Sequence, residues 1–108
     1  MLVQVNTDHN TSGSQQLTQR VETIVAASLE RFGERLTRVE VHLSDENGAK
    51  NHGDDKKCVL EARPANMQPV VVTNVAATVD QAVDGAAKKM ERHLDDTFGQ
   101  IQDRQRQD

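Results

Sequence analysis

From Val79 to Ile101 one rhythm organises the chain. Val79, Val83, Ala86, Met90, Leu94, Thr97 and Ile101 are separated by four, three, four, four, three and four residues. That spacing returns side chains to one side of a 3.6-residue helix, so it predicts a long amphipathic helix with a single apolar stripe. Thr78, with Gln81 three residues on, forms a capping box that starts it. A stripe of this kind is marginal until a second apolar surface covers it. The rest of the chain has to supply that surface.

It does so in short runs of a different period. Leu2-Val3-Gln4-Val5 alternates apolar and polar and reads as a first strand. Arg38 to Leu43 alternates strictly, with Val39, Val41 and Leu43 on one side and Arg38, Glu40 and His42 on the other. Lys57 to Arg63 alternates again, placing Cys58, Leu60 and Ala62 together, and Pro64 ends it. Val70 to Ala76 is a β-branched run and reads as a fourth strand. Between the first two strands, Leu17, Val21, Ile24, Val25, Leu29 and Phe32 keep helical spacing. Ser12 or Ser14 caps that helix, and Gly33 marks its end or a loosened last turn. Leu36 closes over the core.

The predicted order is β-α-β-β-β-α, an α+β fold. A four-stranded sheet with two helices on one face buries every apolar side just named. The other sheet face then carries Glu40, His42, Lys57, Glu61 and Arg63 toward solvent or a polar partner. Residues 1–101 form one domain, and the polar residues 102–108 read as a frayed tail. Gly85 stands inside the second helix at a cost of about 1 kcal/mol relative to Ala. It marks either a close approach by a partner or neighbouring helix, or a tolerated position.

Two stretches, Val83 to Leu94 and Leu29 to Leu43, resemble the family of ribosome hibernation-promoting factors and ribosome-associated inhibitors, the sigma-54 modulation proteins. Val83-Asp84-Gly85-Ala86-Ala87-Lys88-Lys89-Met90-Glu91-Arg92-His93-Leu94 resembles that family's second helix, Ile-Asp-x-x-x-Asp-Lys-Leu-Glu-Arg-Gln-Leu. Leu29 to Leu43 (LERFGERLTRVEVHL) looks like the family's helix end, loop and second strand. The element order agrees over nearly the whole chain. The resemblance implies a double-stranded-RNA-binding-domain-like topology. It implies a cytoplasmic protein that sits in the tRNA and mRNA channel of the small ribosomal subunit and silences translation by steric occlusion under stress. Asp8-His9-Asn10 stands where the family carries a basic loop, and Asp80 near its aromatic position, so the chain reads as a short, divergent form.

Charge supplies the candidate site. The formal net charge of the 108 residues is −4, which disfavours indiscriminate binding to nucleic acid. The charges are nevertheless sorted. On the second helix Lys88, Lys89 and Arg92 share one side, intruded on by Asp96, while Asp80, Asp84, Glu91 and Asp95 share the other. On the first helix Arg20 and Arg31 lie on one flank, and Arg35 and Arg38 follow at its exit. These seven cations are the candidate rRNA contacts, with the acidic flank left to solvent or to basic ribosomal proteins. Arg suits phosphate through its fork and Lys as a point charge. Docking by shape on an RNA backbone needs no aromatic stacking, which fits a chain whose only aromatics are Phe32 and Phe98.

Other chemistry finds little support. Asp45 to Lys56 has Lys at the sixth and twelfth positions, where a calcium loop needs Gly and Glu. His52, Asp54 and Asp55 with Asp8 and His9 match no metal-ligand spacing, so no metal is expected. Cys58, the one cysteine, points inward and reads as an inert buried thiol. No phosphate-binding glycine loop or catalytic triad pattern is present, and no stretch is long and apolar enough to span a membrane. The expectation is a binding protein, not an enzyme, without cofactor or small-molecule substrate. The rival reading is a protein-interaction module of the same fold that has lost rRNA binding.

Overall fold

The computed structural model describes residues 1–8, 14–45 and 56–106, with side chains through residue 99. The elements are β1 (Leu2–Thr7), α1 (Gln15–Leu29), a 3-10 segment (Glu30–Arg35), β2 (Leu36–Asp45), β3 (Lys56–Pro64), β4 (Val70–Ala76) and α2 (Val79–Arg106). The sheet order is β1-β2-β3-β4. β1 runs parallel to β2, as a pair joined through a helix can, and the other neighbours are antiparallel. This is the α+β arrangement expected from the alternating periods.

The alternation sets which side is buried. Val39, Val41 and Leu43 of β2, Cys58, Leu60 and Ala62 of β3 and Val72 of β4 form one face. Leu17, Val21, Val25 and Leu29 of α1 and Ala82, Val83, Ala86, Met90 and Leu94 of α2 close over it in one cluster. The opposite face carries Arg38, Glu40, His42, Lys57, Glu61 and Arg63, as the sequence predicted. Ser14 caps α1, its hydroxyl accepting from Leu17 N–H at 3.0 Å. Thr78 does the same for α2, accepting from Gln81 N–H at 3.1 Å. Ser12, the alternative start, lies outside the described residues, as do the calcium-loop residues from Glu46 to Asp55, with His52, Asp54 and Asp55, and also His9.

The loosened turn expected at Gly33 is present, and two further local features differ from the sequence reading for physical reasons. The α-helical part of the first helix stops at Leu29, and Gly33 (φ 52°, ψ −128°) turns the chain toward β2 through the 3-10 segment. That loosened turn swings Phe32 inward. The stripe of α2 uses Phe98 where the four-three rhythm pointed to Thr97: Phe98 is buried and Thr97 only partly. The rings of Phe32 and Phe98 meet at 5.7 Å between centroids, which draws Phe98 to the flank nearest α1. Gly85 is neither idle nor opposite a helix. It admits Asn74 of β4, whose amide donates to the carbonyls of Ala82 (3.2 Å) and Gln81 (3.4 Å). A Cβ at position 85 would lie 2.2 Å from Asn74 Nδ2.

Candidate nucleic-acid interface

The helical wheel predicted two charged flanks on α2, and packing assigns them different roles. Asp80 and Asp95 of the acidic flank pair with arginines of α1 and the 3-10 segment while staying half exposed, and Asp84 pairs within α2. Arg20 reaches Asp80 at 2.9 Å. Arg31 grips Asp95 with both guanidinium nitrogens, at 2.6 and 2.8 Å, and approaches Glu91 at 3.7 Å. The hydrogen bonds from Arg31 hold the Asp95 carboxyl below its usual range, and those same bonds raise Arg31. The acidic flank is therefore a set of exposed ion pairs, with Arg20 of α1 and Arg31 of the 3-10 segment as counter-ions and Lys88 of α2 pairing Asp84.

The seven candidate cations separate accordingly. Arg20 and Arg31 are exposed but ion-paired across the seam. Lys88 pairs with Asp84 one turn earlier at 3.0 Å. Arg38 lies on the far face of the sheet, hydrogen-bonded to Gln4 and close to Glu40, so the fold does not bring it to the helices. Arg35 sits over the Phe98 ring, 4.2 Å from its centroid, as Arg31 sits over Phe32 at the same distance. Lys89 donates to the Thr73 carbonyl of β4 at 2.8 Å. Among the described residues no carboxylate is in ion-pair contact with Lys89, Arg92 or Arg35. Lys89 and Arg92 share the β4 side of α2 with His93, which the charge count had overlooked because it enters as neutral.

A second polar cluster occupies the outer sheet face. Glu40 and Glu61 stand directly opposite on β2 and β3, and Arg38 and Arg63 stand opposite one step away. Like charges in register repel, so each strand's arginine supports the facing carboxylates. Arg63 reaches Glu40 at 3.3 Å and Glu61 at 3.5 Å, and Arg38 reaches Glu40 at 3.4 Å. Partial burial pushes the Glu40 carboxyl up, but Arg38, Arg63 and a hydrogen bond with Glu61 outweigh it, and the net shift is downward. His42 joins these glutamates with ligand atoms within 4.8 Å, a spacing that could hold a metal ion. The guanidinium groups already occupy both carboxylates, so the cluster reads as an ionic lattice rather than an open ligand set. Cys58 is fully buried and its thiol is pushed up to about 12, which makes it unreactive as a nucleophile near neutrality.

No curated protein sequence matches the chain. Solved structures share its fold, two of them over most of their own length. The N-terminal domain of Thermus thermophilus Protein Y superposes with a TM-score of 0.69 at 18% identity, covering 87% of this chain and 96% of its own. A ribosomal subunit interface protein from Coxiella burnetii gives a TM-score of 0.69 at 13% identity, covering 92% of this chain and 99% of its own. At such identities these likenesses speak for the fold. The family assignment comes from the sequence itself, which fits the pattern of one family from residue 4 to residue 102, from within β1 to within α2. The chain belongs to the family of sigma-54 modulation proteins and S30EA ribosomal proteins.

Proposed function

We propose that this chain is a ribosome-associated hibernation factor of the cytoplasm. It works as a folded plug in the tRNA and mRNA channel of the small subunit, making and breaking no covalent bond. The observation that carries this reading is the family match across residues 4–102. The helix face is compatible with it. Lys89 and Arg92 are exposed on α2 and free of carboxylate contacts among the described residues, and both lie in the motif that first suggested the family. Arg35, its guanidinium 4.2 Å from the Phe98 centroid, is a third cation without a carboxylate contact among the described residues. Arg20, Arg31 and Lys88 can reach phosphate by exchanging an exposed carboxylate for it, a small change because exposed ion pairs are individually weak. Arg38 contributes only where RNA meets the outer sheet face.

A second reading has its own observation. Acidic neighbours already pair Arg20, Arg31 and Lys88, and the chain carries a net charge of −4. A protein-interaction module of this fold that has lost rRNA binding would look the same. Sedimentation of ribosomes with added protein at low salt separates the two. Comigration with small subunits or whole ribosomes, weakening as salt rises, is expected for the plug. The double substitution Lys89→Glu, Arg92→Glu should abolish it without unfolding the protein. Absence of comigration in the wild type supports the protein-interaction module, and unchanged comigration of the folded double variant refutes the assigned face.

A further inference from the structure

β4 ends the sheet, with β3 on one side and, among the described residues, no strand on the other. An edge strand presents unpaired backbone N–H and C=O groups, a template for a further strand. The composition of β4 suits that role. Val70–Ala76 reads VVVTNVA, with no charge, proline or glycine to blunt it. Val71, Thr73 and Val75 lie on the outer face and are exposed, the two valines at 55% and 43%. Lys89 reaches this edge from α2 and donates to the Thr73 carbonyl at 2.8 Å. That bond marks Thr73 as a residue whose backbone groups point away from β3, and the period of two extends this to Val71 and Val75. We propose that the β4 edge is a strand-pairing surface for a second copy of this chain, and that Lys89 holds it closed.

The second copy is favoured because the strand is complementary to itself about Thr73. In an antiparallel pair with a two-fold axis there, Thr73 faces its own copy, and Val71 of each chain faces Val75 of the other. Those facing residues exchange both N–H···O bonds. The valines then cover each other on the outer face. Such a contact uses the same patch on both chains and closes as a dimer. The other edge is less suited: on β1 the outer row continues from Leu2 into Gln4 and Asn6. Lys89 opposes the pairing in two ways. Its ammonium occupies the central acceptor, Thr73 O. The axis at Thr73 also brings Lys89 toward its own copy, where like charges repel. A lysine placed on an edge strand is a common device against such pairing, and here the helix supplies it.

Sedimentation equilibrium of the full chain tests this without any ribosome, so the result stands apart from the proposed function. Lys89→Ala removes the donor and the charge and adds no apolar bulk. It should dimerise at least roughly tenfold more tightly than the wild type, the scale of one hydrogen bond to a charged group. Lys88→Ala makes the same change of charge at a residue paired within α2, and should associate no more than the wild type. Adding Val75→Lys to Lys89→Ala sets a charge against Val71 of the second copy at an exposed position, and should restore the monomer. Lys89→Ala that associates no more tightly than the wild type overturns the proposal. So does an equal response to Lys88→Ala, or a dimer that survives Val75→Lys. Growth beyond the dimer also overturns it, because a two-fold β4 contact closes.

Discussion

Replacing Gly85 with Ala should destabilise this protein, although the local rule says the opposite. In an isolated helix Gly→Ala gains about 1 kcal/mol. Here the new methyl carbon would lie 2.2 Å from Asn74 Nδ2 and 2.8 Å from Asn74 Cγ, about 1.2 Å inside the 3.4 Å at which ordinary contact begins. The Asn74 amide must swing away and surrender its bonds to the Ala82 and Gln81 carbonyls. Those bonds are long, so together they are worth about 1 kcal/mol. Displacing the half-buried amide against β4 adds about another 1 kcal/mol. The net expectation is a loss of about 1 kcal/mol. In an Asn74→Ala background the obstacle is gone and the same Gly85→Ala change should stabilise by about 1 kcal/mol. The two positions should therefore couple by about 2 kcal/mol in a double-mutant cycle read by urea unfolding. Stabilisation of equal size in both backgrounds would refute the steric argument.

Two further outcomes follow from the charges and the core. The folded Asp95 carboxyl lies below its ordinary value, so its contribution is fully present above the unfolded value of about 3.9 and is lost as pH falls through the lower folded one. The stability gap between wild type and Asp95→Asn, measured by urea unfolding at successive pH values, should be constant above about pH 5 and narrow in stronger acid; a gap that does not narrow at all below about pH 4 contradicts the Arg31–Asp95 pair. Burial pushes the Cys58 thiol up to about 12, so a thiol reagent at pH 8 should label it only as fast as the protein opens, and rapid stoichiometric labelling of the native protein would contradict its position.

Much of this fold was readable because the hydrophobic period changes cleanly between elements. Val70–Ala76 was bounded correctly by its β-branched run, and Ser14 and Thr78 were legible as caps because their chemistry is local. What escaped depended on residues far apart in the chain. Phe98 could not be chosen over Thr97 by rhythm alone, since the deciding contact is Phe32, which the 3-10 turn at Gly33 delivers. Asn74 in a strand and Gly85 in a helix each look unfavourable in isolation. They account for each other only once β4 lies under α2. The candidate site shows the same division. A helical wheel sorts charge within α1 and within α2, so Lys89 and Arg92 could be grouped and the acidic flank separated. It cannot say that the acidic flank turns toward Arg20 and Arg31.

That orientation resolves an apparent conflict between an anionic chain and the RNA partner proposed for it. An ion pair such as Arg20–Asp80 or Lys88–Asp84 presents almost no net field a few ångströms away. The cations that matter at a phosphate are those without such partners, and the acids that matter are those left unpaired nearby. On the β4 side of α2 these reduce to Lys89 and Arg92 set against Asp96, while Arg35, over Phe98, stands on the side nearer α1. Such a surface has little long-range attraction to steer encounter. Its selectivity must come from shape and from donors fixed in place, Lys89 by Thr73 O and Arg35 by the Phe98 ring. A surface built in this way disfavours indiscriminate binding to nucleic acid and favours a folded site whose phosphates match its donors, as the proposed channel plug would require.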